Sequence, residues 1–586
     1  MARSAWVLLL VAAAASVCAA SANAIEPAEQ PRKFWVFFRD RESGRAKSQL
    51  AEPARWLTSR ALERRARRGR GSDADFSEAD LPVEAEHRER VAATGARIVV
   101  SSRWLNAVSV AATPAERVRI AELSCVARIA PVALRAAREP SAYLGTTEDS
   151  RAGGRVARSF ATGPGDTLDY GASLAQLAQI GVPALHDGGY DGSGIVIGLL
   201  DSGFERTHPS FASTSILAER DFVNADSNTA DEGTEFVSLH GTAVFSAIGG
   251  FAPGELIGAA YGASFLLAKT EDVRNEYQAE EDFWVAGIEW QESLGVDVVS
   301  SSLGYLDWYV YSQMDGATAV TTRAAQMAVD RGVVVVNSMG NERGNAWNYL
   351  VAPSDAEGVI SVGAVDLAGT AGSFSSVGPT ADGRLKPDVV ALGIGVQVAR
   401  GDFNRGGPTY WPGAIGTSFA TPLVAGVAAL ILQADPDATP SEIQTAMRCT
   451  ASRAAAPDTS LGYGLVRAAD ALAFSPPDSG GCKFAGTPPP FALRIASPFG
   501  GVFAPARGGL GWHFDLPMTS RVTARLFDVA GRIVATLFDA NFDAGVGLDL
   551  PWDGRTASGD DAPSGVYLLR LETPAGAAAA RVILVR

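Results

Sequence analysis

Cysteine, histidine and basic charge are all scarce in this chain. Its 586 residues include four cysteines and five histidines, and 50 Lys and Arg stand against 65 Asp and Glu, a net charge of -15. So few cysteines exclude a disulfide-built scaffold, and the core must carry the fold. The acidic balance excludes a binder that relies on phosphate contacts, so no nucleic-acid partner is expected. After the first 24 residues no uninterrupted apolar run reaches about 18, so no membrane span is expected in the mature chain. The scarcity of histidine narrows the choice of general base to a handful of positions.

Apolar residues, at 47%, and 62 glycines suffice for sizeable cores joined by tight turns. The length suggests roughly three to five folding units. Arg3, the apolar run Trp6 to Val17 and Ala22-Asn-Ala24 read as a secretory signal over residues 1–24. Residues 25–138 then give strand patterns at 33–39, 96–101, 107–111 and 126–132, with a helix at 114–123: a small α+β unit. The arginine-rich stretch from Arg60 to Arg70 has helix-compatible spacing. It is read as a solvated helix face in preference to a patch for nucleic acid or an acidic partner. Residues 139–169 lose apolar periodicity and form a linker open to cleavage.

From 170 to 474 strands and helices alternate. Ile195–Leu200, Ser264–Ala268, Val296–Ser300, Val333–Val336 and Val359–Val362 are short apolar runs, as expected of strands buried on both faces of a parallel sheet. Helical stretches fall at 281–293, 317–331 and 418–433, giving an α/β fold with helices on a parallel sheet. Residues 475–490 are a Pro/Gly/Ser-rich linker, and 491–586 read as a β-sandwich. Cys449 and Cys482 are expected to pair or to remain free thiols with equal weight.

Functional groups of an open α/β sheet collect at the carboxyl ends of its strands. Asp201 follows the run 195–200, and a turn cap is its bland alternative. His240 opens a helix of small residues; His87, His186, His208 and His513 have no comparable context. Ser418 begins an apolar helix, where free N–H groups and the dipole favour negative charge; it also fits a capping serine. Pro422 is placed in that helix's first turn. Asn341, after Gly340, suits either a turn or an oxyanion donor.

Together Gly198-Leu-Leu-Asp-Ser-Gly203, His240-Gly-Thr-Ala-Val244, Gly340-Asn-Glu342 and Gly416-Thr-Ser-Phe-Ala-Thr-Pro422 resemble the subtilisin-like serine peptidases, in that family's Asp, His, Ser order. The resemblance implies a secreted endopeptidase acting on polypeptides. Asp201, His240 and Ser418 form its triad, Asn341 is the oxyanion donor, and Ser302, Leu303, Gly304 and Gly340 border the substrate. It implies no catalytic cofactor; structural calcium, common in the family, has no evident ligands. Residues 25–138 resemble the family's inhibitory propeptides. The end of the chain resembles Ig-like domains of secreted bacterial proteins, some of which are sorting signals and others spacers. Met339 and Arg343 depart from the family pattern. A catalytically silent binding or adhesion protein of the same fold is the alternative, although no triad member is missing.

Overall fold

A computed structural model describes residues 31–39, 52–69, 76–132, 168–230, 239–272, 281–306, 309–406, 408–474 and shorter stretches between 494 and 584. The expected signal segment, nearly all of the first linker, the linker 475–490 and Cys482 lie outside the described residues. Cys449 is disulfide-bonded, and Cys125 is a buried free thiol.

The N-terminal unit is a four-stranded antiparallel sheet: β1 (Arg32–Phe38), β2 (Arg97–Ser102), β3 (Ala107–Ala112) and β4 (Val126–Pro131), in the order β2-β3-β1-β4. Side chains alternate across it. Val36, Phe38, Val108 and Val110 pack with Val91 and Ile120, which come from α2 (Ala85–Ala92) and α3 (Pro114–Ala121). The opposite face, with Trp35, Phe37 and Ala107, packs onto helices of the central unit.

The expectation for the arginine run is overturned. It does form a helix, α1 (Ser59–Arg68), capped by Thr58, but Arg64, Arg65 and Arg68 are buried. Carboxylates of the central unit and of Asp80 neutralise them, and a paired guanidinium tolerates burial that a free one does not. The pattern alone could not reveal the acidic surface waiting elsewhere in the chain.

The central unit carries a seven-stranded parallel sheet. Its strands are β5 (Val196–Asp201), β6 (Ser215–Asp221), β7 (Ser264–Lys269), β8 (Val298–Ser301), β9 (Val334–Ser338), β10 (Ile360–Val365) and β11 (Val389–Leu392). Their order is β11-β10-β9-β8-β5-β7-β6, every neighbouring pair parallel. This is the α/β architecture implied by the apolar runs. Both edge strands escaped that reading: β6 because its residues SILAERD are largely polar and nearly all exposed or half-exposed, and β11, whose short run VVAL is fully buried but was not among the expected strands. One face is covered by α5 (Glu281–Leu294) and α6 (Val320–Asp330), the other by α4 (Leu239–Gly249) and α7 (Thr417–Ala434). Helix α7 is buried from Thr417 through Leu432, which explains its apolar circumference. Among the described residues it alone is long and apolar enough to cross a membrane, yet it lies inside the unit. Toward the C-terminus, a five-stranded and a three-stranded sheet occur between residues 494 and 584. They share a core that includes Phe514, Val522, Leu526, Leu569 and Leu571.

Candidate active site

Asp201 ends the interior strand β5 and is fully buried. Its Oδ1 accepts from the Ser202 N–H at 2.7 Å and the Ser202 hydroxyl at 3.1 Å. His240 Nδ1 lies 2.8 Å from the same oxygen. A carboxylate there sets Nδ1 as the protonated nitrogen and leaves Nε2 as the basic edge. Gly241 makes this approach feasible: a Cβ on it would fall 2.1 Å from Gly203 O and 3.0 Å from Asp201 Oδ1. The glycine lets the first turn of α4 rest on the Asp201 loop.

Three of the remaining histidines are held elsewhere. His186 is bonded to Tyr170 OH and Ala259 O, His208 to Ser210 Oγ and Thr409 O, and burial lowers the pKa of both. His87 stacks on Phe38 in the N-terminal unit.

The N-terminus of α7 reaches the imidazole from the other side. The rings of His240 and Phe419 are 5.8 Å apart, and Ser418 directly precedes Phe419. The capping reading of Ser418 fails: Gly416 is the N-cap and Ser418 stands inside the helix. Its hydroxyl donates to Ser302 O at 3.3 Å, a long bond, rather than to the imidazole. Asn341 comes to the same helix end. Its Oδ1 accepts from the Thr417 N–H at 3.0 Å and the Thr417 hydroxyl at 2.9 Å, which fixes the amide plane. A Cβ on Gly416 would lie 3.6 Å from Asn341 Nδ2, so the amide edge runs close beside the loop leading into Ser418.

Pro422 is not in the first turn but inside the helix. It cannot offer the N–H that the Ser418 carbonyl would receive four residues on. The Ser302 hydroxyl donates to that carbonyl at 2.7 Å instead. This structural duty of Ser302 was missed by sequence reasoning, although a proline four residues after the serine was the available signal.

Leu303 is buried. Asn337 Nδ2 donates to Leu303 O at 3.0 Å and Ser338 O at 2.9 Å, which ties the ends of β8 and β9 together. Gly304 and Gly340 both lie against Val351; a Cβ would come within 2.2 Å and 3.1 Å of it respectively. Met339 is buried, and Arg343 donates to Ser460 Oγ at 2.7 Å. Among the described residues no group of three or more His, Cys, Asp or Glu is disposed to hold a metal ion.

Residues 192–464 match the Subtilase family, and residues 33–143 match the Peptidase S8 propeptide domain of Bacteroidota. The chain is 34% identical over 280 residues to subtilisin NAT of Bacillus subtilis subsp. natto, which covers 47% of this chain and 65% of that protein, just under two thirds. Against the subtilisin of Bacillus pumilus the identity is again 34%, over 47% of this chain and 90% of the relative. The crystal structure of fervidolysin from Fervidobacterium pennivorans, described as a keratinolytic enzyme related to subtilisin, aligns with a TM-score of 0.52 at 19% identity. That alignment covers 94% of this chain and 76% of fervidolysin, and shows the shared fold. With a parallel-sheet core, an Asp–His pair at its carboxyl end and these matches, the chain belongs to the subtilase family.

Proposed function

We propose that the protein is an exported serine endopeptidase that cleaves polypeptides through an acyl-enzyme, with Ser418 as nucleophile, His240 as base and Asp201 as its orienting carboxylate. The carrying observation is the 2.8 Å contact from His240 Nδ1 to Asp201 Oδ1, beside the N-terminus of the helix that bears Ser418. A rotation of the Ser418 side chain away from Ser302 O brings Oγ toward Nε2. The imidazole takes the proton as Oγ attacks the scissile carbonyl, and the charge on Asp201 stabilises the imidazolium. Oxyanion charge develops at the α7 N-terminus, where the Ser418 N–H and Asn341 Nδ2 donate. The imidazolium gives its proton to the leaving amine, and water then hydrolyses the ester by the same route. Backbone at Ser302, Leu303, Gly304 and Gly340 aligns the substrate. The reaction as written uses no cofactor.

The remaining domain assignments belong to the same reading. Residues 1–24 direct export, 25–138 inhibit and assist folding, and 139–169 are cut on maturation. Residues 491–586 act as a spacer or sorting domain after the linker 475–490. A fluorophosphonate probe is expected to label the mature protein and to leave Ser418→Ala unlabelled. Equal labelling of the two would remove Ser418 from the mechanism.

A further inference from the structure

The amino ends of β5, β8 and β9 and the carboxyl ends of α5 and α6 form a slot on the side of the sheet opposite Asp201. Carbonyls at a helix C-terminus lack intrahelical donors and carry the negative end of the dipole. Those that face the slot are Val296 O and Arg331 O, just beyond the helices, and Glu292 O, which also accepts the Gly295 N–H at 3.1 Å. The carboxylates of Glu292 and Asp297 add full charge. Glycines follow both helices: Gly295 (φ +92) and Gly332 (φ +83). A Cβ on Gly295 would lie 2.8 Å from Arg60 Cβ, and one on Gly332 would lie 2.9 Å from the Arg68 backbone. The slot is therefore negative and smooth enough to seat a helix backbone.

Helix α1 fills it with arginines. Arg64 Nε donates to Arg331 O at 3.1 Å, and its Nη1 donates to Glu292 O at 3.2 Å and Val296 O at 2.8 Å. Its remaining nitrogen pairs with the Glu292 carboxylate. Every side-chain hydrogen bond of Arg64 thus goes to the central unit. Arg60 donates to Gly194 O at 2.9 Å and Gly295 O at 3.1 Å. Arg60 and Arg68 both pair with Asp297. Arg65 bridges Glu292 and Asp80. Burial pushes the Arg64 guanidinium down to about 10, with Glu292 opposing, so it stays charged near neutrality.

We propose that this slot is a recognition site for an arginine-bearing helix, separate from the substrate groove, and that after maturation it takes α1 from the N-terminal unit of a second copy of the chain. The inference rests on the reading of residues 25–138 as a cleavable inhibitor. Seated helix and vacated slot match in charge, carbonyl geometry and the two missing Cβ atoms. A copy whose own N-terminal unit has departed keeps that complementarity intact.

The test uses full-length Ser418→Ala chains, cut in the 139–169 linker by an added peptidase. Isotope-labelled and unlabelled complexes are mixed, and exchange of N-terminal units is followed by native mass spectrometry. Labelled units are expected to appear on unlabelled partners. Arg64→Gln should raise the dissociation rate about 30-fold or more, because it takes one of three cationic partners from buried Glu292 and the Arg64 donors from Val296 O and Arg331 O. Glu292→Gln should act in the same direction with α1 unaltered, which covers the case in which Arg64→Gln impairs folding of the N-terminal unit. Arg67→Gln removes the same charge from an exposed position on the same helix and should change the rate less than about twofold. Absence of exchange, equal effects of Arg64→Gln and Arg67→Gln, or an unchanged rate in Glu292→Gln would each overturn the proposal. Mass is read rather than turnover, so failure here is distinct from failure of the peptidase reading, which the fluorophosphonate experiment decides.

Discussion

The two ends of the parallel sheet make an instructive contrast. At the carboxyl end, polar groups are few and each is aimed by a neighbour: Ser202 on Asp201, Asp201 on His240, Thr417 on Asn341. At the amino end, charges are many and mutually neutralised, Arg60, Arg64, Arg65 and Arg68 against Asp80, Glu292 and Asp297. The first arrangement leaves groups poised for a reaction. The second pairs each arginine with a carboxylate in place, and so serves binding. Buried charge by itself does not mark a reactive site.

The sharpest way to break the contrast is to remove His240. His240→Ala is expected to lower kcat by at least about 10⁴-fold with little change in dissociation of the N-terminal unit, read by peptide hydrolysis on the matured protein. Near-normal kcat would take the imidazole out of the chemistry. Asn341→Ala should cost roughly 10²–10³-fold in kcat with KM nearly unchanged, the usual range for loss of one oxyanion donor.

Acid should sharpen the contrast from the other end. Burial alone would raise the Glu292 pKa, but Arg64, Arg65 and Arg103 outweigh it and hold the carboxyl below the ordinary value of 4.5. Its contribution to docking is therefore present above that ordinary value and is lost as pH falls through the lowered one. Glu289, on α5, accepts from the Ser102 hydroxyl and the Arg103 N–H of the N-terminal unit and has the opposite sign. Burial raises its pKa, so the docked state binds more protons there and gains as pH falls toward the raised value. Faster dissociation of the N-terminal unit is expected well below pH 4.5. Glu289→Gln should remove the opposing contribution and leave only the loss. A dissociation rate flat down to strongly acid pH would contradict this assignment.

Much of the fold was legible in the sequence, because a buried parallel strand must be apolar throughout. The run 195–200 and its relatives had to be strands, and Asp201 had to stand at the end of one. The four strands of the N-terminal unit were equally readable from alternation, whereas α2 was not among the expected elements. What the sequence hid depends on distant partners. The arginines of α1 look solvated until Glu292 and Asp297 are placed beside them, over 200 positions away in the chain. The rotamer of Ser418, turned to Ser302 O, leaves no trace in a motif. Pro422 did leave one. A proline placed to deprive the Ser418 carbonyl demands a donor, though the sequence could not say which.

The smallest expected effect isolates that donor. Ser302→Ala leaves the Ser418 carbonyl buried without its 2.7 Å bond, a cost of about 1–3 kcal/mol. Thermal unfolding of the Ser418→Ala protein measures it without autolysis. Restoring the N–H with Pro422→Ala should give that carbonyl an intrahelical partner, so Ser302→Ala should cost less in that background. The two changes are then expected to be non-additive by about 1 kcal/mol in a double-mutant cycle. Strict additivity would mean that the Ser302 hydroxyl does not replace the missing backbone bond, and that the carboxyl end of the sheet holds Ser418 by some other contact.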